Sequence, residues 1–207
     1  ALAADASDGA FAGGSSFATV GVRLSSCGAT TFTIAAAGLS SCAGGVATGL
    51  GISPKHVHRV AGVSKAYTTR VGGGPFPTEC LDADGQRLRD RGNEYGSTTG
   101  RPRRCGWFDG PAARYATTVN ALDSVVITKI DVLDTFAEVQ FCVEYKYKGS
   151  VLKEFPADAA ILARVEPVYK TFPGWQTSLS GLKDWSQLPA AAQDYLNFLS
   201  DYLGAPI

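Results

Sequence analysis

Residues 96–104 read Gly-Ser-Thr-Thr-Gly-Arg-Pro-Arg-Arg, which places three hydroxyls (Ser97, Thr98, Thr99) and two glycines (Gly96, Gly100) ahead of three guanidinium groups (Arg101, Arg103, Arg104). Glycine lets backbone N–H groups approach an anion closely, hydroxyls donate to it, and a guanidinium fork matches a carboxylate or phosphate in bidentate fashion. The chemistry this spells is the gripping of small dianions. Composition alone also fits a solvated basic loop, since most arginine runs are surface charge. A second signal is Thr128-Lys129-Ile130-Asp131, at the end of an apolar run. Strand ends of open α/β sheets commonly face ligands. An aspartate there can accept from the two edge N–H groups of guanine while the lysine stem lies along the base, an arrangement adenine does not match. A solvated Lys–Asp pair is the plain alternative.

The third stretch, from Arg70 to Glu79, frees the backbone with Gly72, Gly73 and Gly74 and then stiffens it with Pro75 and Pro77. His56 and His58 lie two residues apart on what reads as a helix, so they do not share a face and do not suggest a metal pair. Cys105 sits beside the arginines, which could lower its pKa, but no histidine base is near it in sequence and it does not read as a nucleophile.

The elements that must position these groups are mixed. Ser53-Pro54 reads as a helix start, with Val57, Val60 and Ala61 at helical spacing. Residues 65–71 alternate as a strand. Residues 72–110 form a long irregular excursion with an Asp84-Gly85 turn and a short helical piece near residues 86–90, of the kind that is usually functional or disordered. Residues 111–122 have helical spacing, and residues 124–130 form a continuous apolar strand of the type buried in a sheet. Residues 137–147 alternate and turn at Lys148-Gly149 into residues 150–155, a half-buried antiparallel hairpin. The last element, residues 189–203, gathers Leu188, Ala192, Tyr195, Leu196, Leu199, Tyr202 and Leu203 on one face, with Gly204 as its stop. The class is α/β with an antiparallel extension.

Composition narrows the field. The chain has 207 residues, 45% of them hydrophobic and 18% charged, with 19 basic and 19 acidic side chains. A net charge of zero argues for neither nucleic acid nor an anionic membrane, so any basic site is local. No apolar run approaches the roughly 20 residues a membrane helix needs. Five cysteines (Cys27, Cys42, Cys80, Cys105, Cys142) without a CxxC pair suggest neither a disulfide framework nor zinc. They read as free thiols of a soluble protein in a reducing compartment, cytoplasm or organelle stroma or matrix. A first residue other than methionine suggests a processed or fragmentary start. Residues 1–42 are rich in Ala, Gly and Ser, bury little surface per residue ordered, and are expected to be partly irregular.

Taken in order, AGGVATGLGI at 43–52, KAYTTRVGGGPFPTE at 65–79, RGNEYGSTTGRPRRCGWFD at 91–109, TKIDVLD at 128–134, and PVY with PGW at 167–175 resemble the blocks of adenylosuccinate synthetase. The resemblance divides the chain into a divergent segment, 1–42, and a C-terminal synthetase-like domain, 43–207. It implies an enzyme that joins L-aspartate to IMP at the expense of GTP with Mg2+, in purine nucleotide biosynthesis. Ser97, Thr98, Thr99, Gly100, Arg101 and Arg103 would form the aspartate and IMP loop, with Thr98 and Thr99 meeting the amino acid and Arg101 bridging aspartate and IMP. Arg103 would also reach the GTP side, and Lys129, Ile130 and Asp131 would read guanine.

Departures from the family are equally specific. The glycine-rich phosphate loop, catalytic aspartate and catalytic histidine of the family's N-terminal half have no counterpart here, so the resemblance implies no catalytic residue in this chain and no turnover by it alone. Val22 and Ala37 stand where the family holds IMP with a glutamine and a threonine, and Pro102 replaces an arginine. The sequence reaches Ile207 short of the family's last guanine-contacting segment. Three readings follow: a piece of a working synthetase whose partner piece supplies catalysis, an inactive structural subunit of a larger assembly, and a small-ligand binder that kept the two loops for sensing.

Overall fold

The computed structural model describes residues 43–207 in full, together with the backbone of two earlier strands, β1 (Ser16–Leu24) and β2 (Thr30–Ala37). The elements that follow are α1 (Gly45–Leu50), β3 (Val57–Lys65), β4 (Thr68–Arg70), α2 (Ala83–Gly92), β5 (Arg104–Gly106), β6 (Phe108–Asp109) and α3 (Gly110–Asn120). Beyond them come β7 (Ser124–Thr128), β8 (Glu138–Tyr147), β9 (Ser150–Val151), α4 (Ala159–Leu162), β10 (Glu166–Pro173) and α5 (Ala190–Leu203). The strands form two sheets: one runs β5-β4-β1-β3-β7 with β2 on β1, the other β10-β8-β6 with β9 on β8. β3 and β7 pair in parallel, as do β6 and β8, and the remaining pairs are antiparallel. This is the mixed α/β architecture with an antiparallel extension that the sequence predicts.

Several local expectations give way to tertiary pairing. Pro54 starts only one 3-10 turn, Pro54–His56, and the chain then enters β3 rather than a helix. The i, i+3, i+4 spacing of Val57, Val60 and Ala61 is overridden because β3 pairs with β1 on one side and β7 on the other, which suits its β-branched residues. His56 and His58 are accordingly not on a helix; one ends the turn, the other lies on the strand, and both are exposed. Asp84-Gly85 is no turn either. Asp82 caps α2 by accepting from Asp84 N at 3.1 Å and Gly85 N at 3.2 Å, so the pair lies in the first turn of a helix longer than its apolar pattern announces.

β7 was expected inside a sheet, yet it forms an edge among the described strands, and Val126 is 50% exposed. The 1–42 segment contributes β1 and β2 to the sheet, while its remaining residues, Cys27 and Cys42 among them, lie outside the described residues. Val22 pairs with Val60 and Phe32, and Ala37 with Ser16; their side chains, and so their comparison with an IMP-holding pair, lie outside the described atoms.

The core sits between the sheets and α5. Ala192, Tyr195, Leu196, Leu199 and Leu203 form the buried stripe of α5, and Gly204, at φ 68°, ends it with its N–H on Ser200 O at 3.0 Å. Phe141 of β8 stacks on Phe108 of β6 and meets Tyr195, Phe198 and Tyr202 edge-on.

Asp109 links the sheets to α3. Its carboxylate caps the helix through Ala112 N at 3.2 Å, and both oxygens lie 2.6 Å from Tyr145 OH. Burial pushes its carboxyl up to about 6, against the bonds from Tyr145 and Ala112 that favour the anion. A raised carboxyl pKa favours the protonated form in the folded state, so its contribution is complete below about pH 4, the unfolded value, and is lost as pH rises through about 6. Asp109→Asn, which holds a neutral cap, is therefore expected to gain on wild type by up to about 1.4 kcal/mol per pH unit between those limits. Urea midpoints of both proteins across pH 3.5 to 7.5 read this, and parallel curves would contradict it.

Candidate functional site

The site is built on one carboxylate. α2 ends at Asn93, whose left-handed conformation (φ 50°) turns the chain inward, and Glu94 N then bonds Arg89 O at 2.8 Å. Glu94 is 1% exposed. Its Oε1 accepts from Lys65 Nζ at 2.7 Å, at the end of β3, and from Tyr67 OH at 2.6 Å; its Oε2 accepts from Arg103 Nη1 at 2.9 Å. Lys129 Nζ lies 3.9 Å from Oε1 and donates to Gly92 O. Three cations from three segments surround a single anion, leaving about two net positive charges at a half-open surface.

Burial by itself would raise the Glu94 carboxyl, but the bonds from Lys65, Tyr67 and Arg103 outweigh it and hold the group below the usual carboxylate range. The two partners are not shifted symmetrically: burial holds Lys65 below the usual lysine range although Glu94 pulls it up. The 2.7 Å contact is that of a charge-assisted bond from an ammonium to an ionised carboxylate. Burial and Glu94 together raise the Tyr67 phenol, which stays a donor.

The predicted loop closes on itself above this hub. Gly96 N bonds Arg101 O at 2.9 Å, Gly100 N bonds Gly96 O at 2.8 Å with Gly100 at φ 63°, and Tyr95 bridges Pro102. Its base is pinned at Arg103, whose N–H bonds Glu94 O at 2.9 Å and whose carbonyl accepts from Arg89 Nε at 2.9 Å. Ser97, Thr98, Thr99, Gly100 and Arg101 are exposed at the tip, and Thr99 Oγ1 accepts from Arg101 N at 3.4 Å. The Arg101 guanidinium has no hydrogen bond among the described residues, so it is available to a ligand. Arg104 points elsewhere. It forms a bidentate pair with Glu79 at 2.7 and 2.5 Å and donates to Gly72 O and Gly74 O, clamping the glycine loop that Arg70 also holds through Gly73 O and Pro75 O. The third sequence signal is therefore a braced loop beside the hub.

On the other flank, Lys129 is in the left-handed conformation (φ 56°) where β7 ends, and Ile130 and Asp131 begin a 3-10 turn, Ile130–Thr135. Arg91 anchors that turn by donating to Asp131 O at 3.0 Å and Val132 O at 2.9 Å. The Asp131 side chain is exposed and has no hydrogen bond among the described residues. The structure thus brings Arg103 and Lys129 to one point, and leaves Arg101 and Asp131 as free ends on either side of it.

Sequence reasoning missed Glu94 as a site residue. The available signal was its isolation, as the single acidic residue among the four arginines of residues 91–104. Cys105 is fully buried, and burial pushes its thiol up to about 11, outweighing its arginine neighbours. Cys80, Cys105 and Cys142 are free thiols. A small cleft of about 20 Å³, lined in part by Thr69, Asp109 and Tyr145, has room for about one water and touches the hub only through Thr69, which accepts from Lys65 Nζ at 3.2 Å.

The hub itself is no magnesium site: both oxygens of Glu94 accept from cations or a phenol, and among the described residues no group of three or more His, Cys, Asp or Glu converges. Among the described residues no helix is long and apolar enough to cross a membrane.

Comparison with known proteins agrees with these blocks. A family model described as adenylosuccinate synthetase matches residues 34–207. The chain is 51% identical over 168 residues to the adenylosuccinate synthetase of Geobacter sulfurreducens, covering 81% of this chain and 39% of that protein. It is 55% identical over 165 residues to that of Aquifex aeolicus, covering 79% and 38%. Among solved structures, a fully ligated adenylosuccinate synthetase from Plasmodium falciparum superposes with a TM-score of 0.78 at 41% identity, covering 86% of this chain and 41% of that one. The chain spans about two fifths of the length of the curated relatives it matches.

Proposed function

The chain belongs to the adenylosuccinate synthetase family, and on that premise we propose that it carries the L-aspartate loop and the guanine-reading turn of an enzyme that joins aspartate to IMP at the expense of GTP. The observation that supports this best is the meeting of Arg103 and Lys129 on Glu94, which sets the two ligand segments side by side over a positively charged floor. In this reading Arg101 and the hydroxyls of Thr98 and Thr99 take the aspartate carboxylates, with Ser97 and Gly100 shaping the loop. Arg103 faces aspartate and the GTP side. Asp131 accepts from the guanine edge, with Lys129 and Ile130 flanking the base.

What the arrangement does chemically is bind and orient. Fixed guanidinium and ammonium groups stabilise phosphoryl and carboxylate charge where it gathers, and cost no reorganisation when it does. The hub offers no free base: both oxygens of Glu94 are engaged by cations or a phenol, and His56 and His58 lie exposed on β3 and the turn before it. Proton abstraction from IMP and the ligands of Mg2+ would come from a part of the enzyme outside the described residues. This chain alone is therefore expected to bind without turnover. An N-terminal piece that carries the phosphate loop is expected to restore adenylosuccinate formation when mixed with it. A mixture that stays inactive with both pieces folded would refute the synthetase reading.

The guanine assignment has its own test. Because the chain carries no glycine-rich phosphate loop, GTP binds it weakly and is read by saturation-transfer NMR. Asp131→Asn turns one acceptor into a donor that faces the guanine N–H groups, and is expected to weaken GTP by about tenfold while L-aspartate is unaffected. Equal GTP affinity in the variant would remove Asp131 from the site.

A further inference from the structure

We propose that Glu94 is the positioning residue of this site: its carboxylate is the shared counter-charge that holds Arg103, from the loop, and Lys129, from the strand end, in register with one another. The inference rests on the aspartate and guanine reading above. Lys65 and Tyr67 already supply a buried carboxylate with a counter-charge and a second hydrogen bond, so a purely structural role does not call for cations from both ligand segments as well. Glu94 instead gathers three other segments. It takes Lys65 and Tyr67 on Oε1 at 2.7 and 2.6 Å and Arg103 on Oε2 at 2.9 Å, with Lys129 3.9 Å from Oε1.

Each of its groups fixes a different degree of freedom. Its backbone carbonyl holds Arg103 N at 2.9 Å, which sets the height of the loop, and its side chain holds Arg103 Nη1, which sets the direction of the guanidinium. Lys65 and Tyr67 lock the carboxylate, so it has no freedom to follow either ligand segment. Lys129, whose ammonium also reaches Gly92 O at the end of α2, is drawn to the same point. Among the described residues Arg103 keeps Nε and Nη2 without partners, so positioning leaves two donors for a ligand. One negative charge among three positive ones also keeps the site cationic without leaving the cations to repel one another apart.

The test compares wild type with Glu94→Gln and Glu94→Asp in the 207-residue chain, well below the unfolding temperature. Removing the charge while keeping the shape is expected to weaken both L-aspartate, by calorimetry, and GTP, by NMR titration, by about tenfold in the folded protein. Glu94→Asp, which restores the charge, recovers part of each. A structural role alone would lower stability and leave the affinities of the folded fraction unchanged, which would overturn the proposal.

A wild-type chain that binds neither ligand would end the functional reading, and that failure is distinguishable from failure of the Glu94 link, because the unliganded protein carries a second readout. The side-chain NMR signals of Arg103 and Lys129 both move in Glu94→Gln; a Lys129 signal identical to wild type overturns the proposal. Should Glu94→Gln not fold, Arg103→Met reads the same link from the other end. Lys129 is expected to respond to it, and an unmoved Lys129 signal again overturns the proposal.

Discussion

Arg101→Ala is expected to weaken L-aspartate by about 100-fold in calorimetry while leaving the unfolding midpoint where it is. Both halves follow from the same geometry. Arg101 stands on an exposed loop and its guanidinium has no hydrogen bond among the described residues, so its removal strands no partner, and such surface changes shift stability by no more than about 0.5 kcal/mol. A bidentate guanidinium–carboxylate pair is charge-assisted and shape-matched, and truncating one side costs about 2–3 kcal/mol. That loss corresponds to roughly 30- to 150-fold in affinity. Arg101→Lys keeps the charge but loses the fork and is expected to recover only a small part. Arg104→Ala is the contrast: its guanidinium is spent on Glu79 and the glycine loop, so it should lower stability and affect aspartate only through that loop. Aspartate affinity unchanged in Arg101→Ala would show the loop tip to be inert.

The elements that announced themselves in sequence are those whose local code agrees with their tertiary role. α5 has an apolar stripe, a polar face and a terminal glycine, and every one of these is used as its chemistry dictates. β8 sends Val139 and Phe141 into the main core, while Cys142 and Tyr145, on either side of the bulge opposite Val168 and Tyr169, are buried in a second cluster with Val165. The β3 pattern satisfies two periodicities, and only its neighbours β1 and β7 decide between them. α2 is longer than its sequence pattern suggests because its surface is arginine and aspartate with few apolar residues; its limits are set by Asp82 and Asn93, cap residues whose role depends on backbone angles.

The same distinction runs through the site. The loop and the strand end stand out in sequence because the anion and guanine recognition proposed for them would demand particular side chains in particular order. Their convergence was not, because it depends on Lys65, Glu94, Arg103 and Lys129, separated by up to 64 positions, sharing one carboxylate. Residue types specify which chemistry is possible; the chain path specifies which of those residues share a charge.

Phe141→Ala is expected to cost about 4 kcal/mol, a large share of what holds a domain of this size together. The ring is 0% exposed and stacks on Phe108 at 5.2 Å between centroids, with Phe198 and Tyr202 edge-on at 5.2 and 5.0 Å. A truncation here removes the transfer energy of a phenyl group, leaves a cavity between β8, β6 and α5, and forfeits several aromatic contacts of about 0.5–1.5 kcal/mol each. The ring is tightly packed, since a Cβ on Gly110 would come within 2.5 Å of it. Phe141→Leu fills most of the volume and should recover more than half of the loss. Urea unfolding at constant slope reads both variants, and the slope separates lost stability from a change in the denatured state. Because Phe141 pairs with Phe108 in register, and β6 continues directly from β5 and Arg104, the variant also tests whether the core carries the loop. Aspartate affinity is expected to be unchanged at temperatures where the protein stays folded, since the base of the loop is pinned by Glu94 and Arg89, neither of which touches the cavity. A fall in affinity that matched the fall in stability would place the anchor of the loop in the aromatic core instead of in the Glu94 hub.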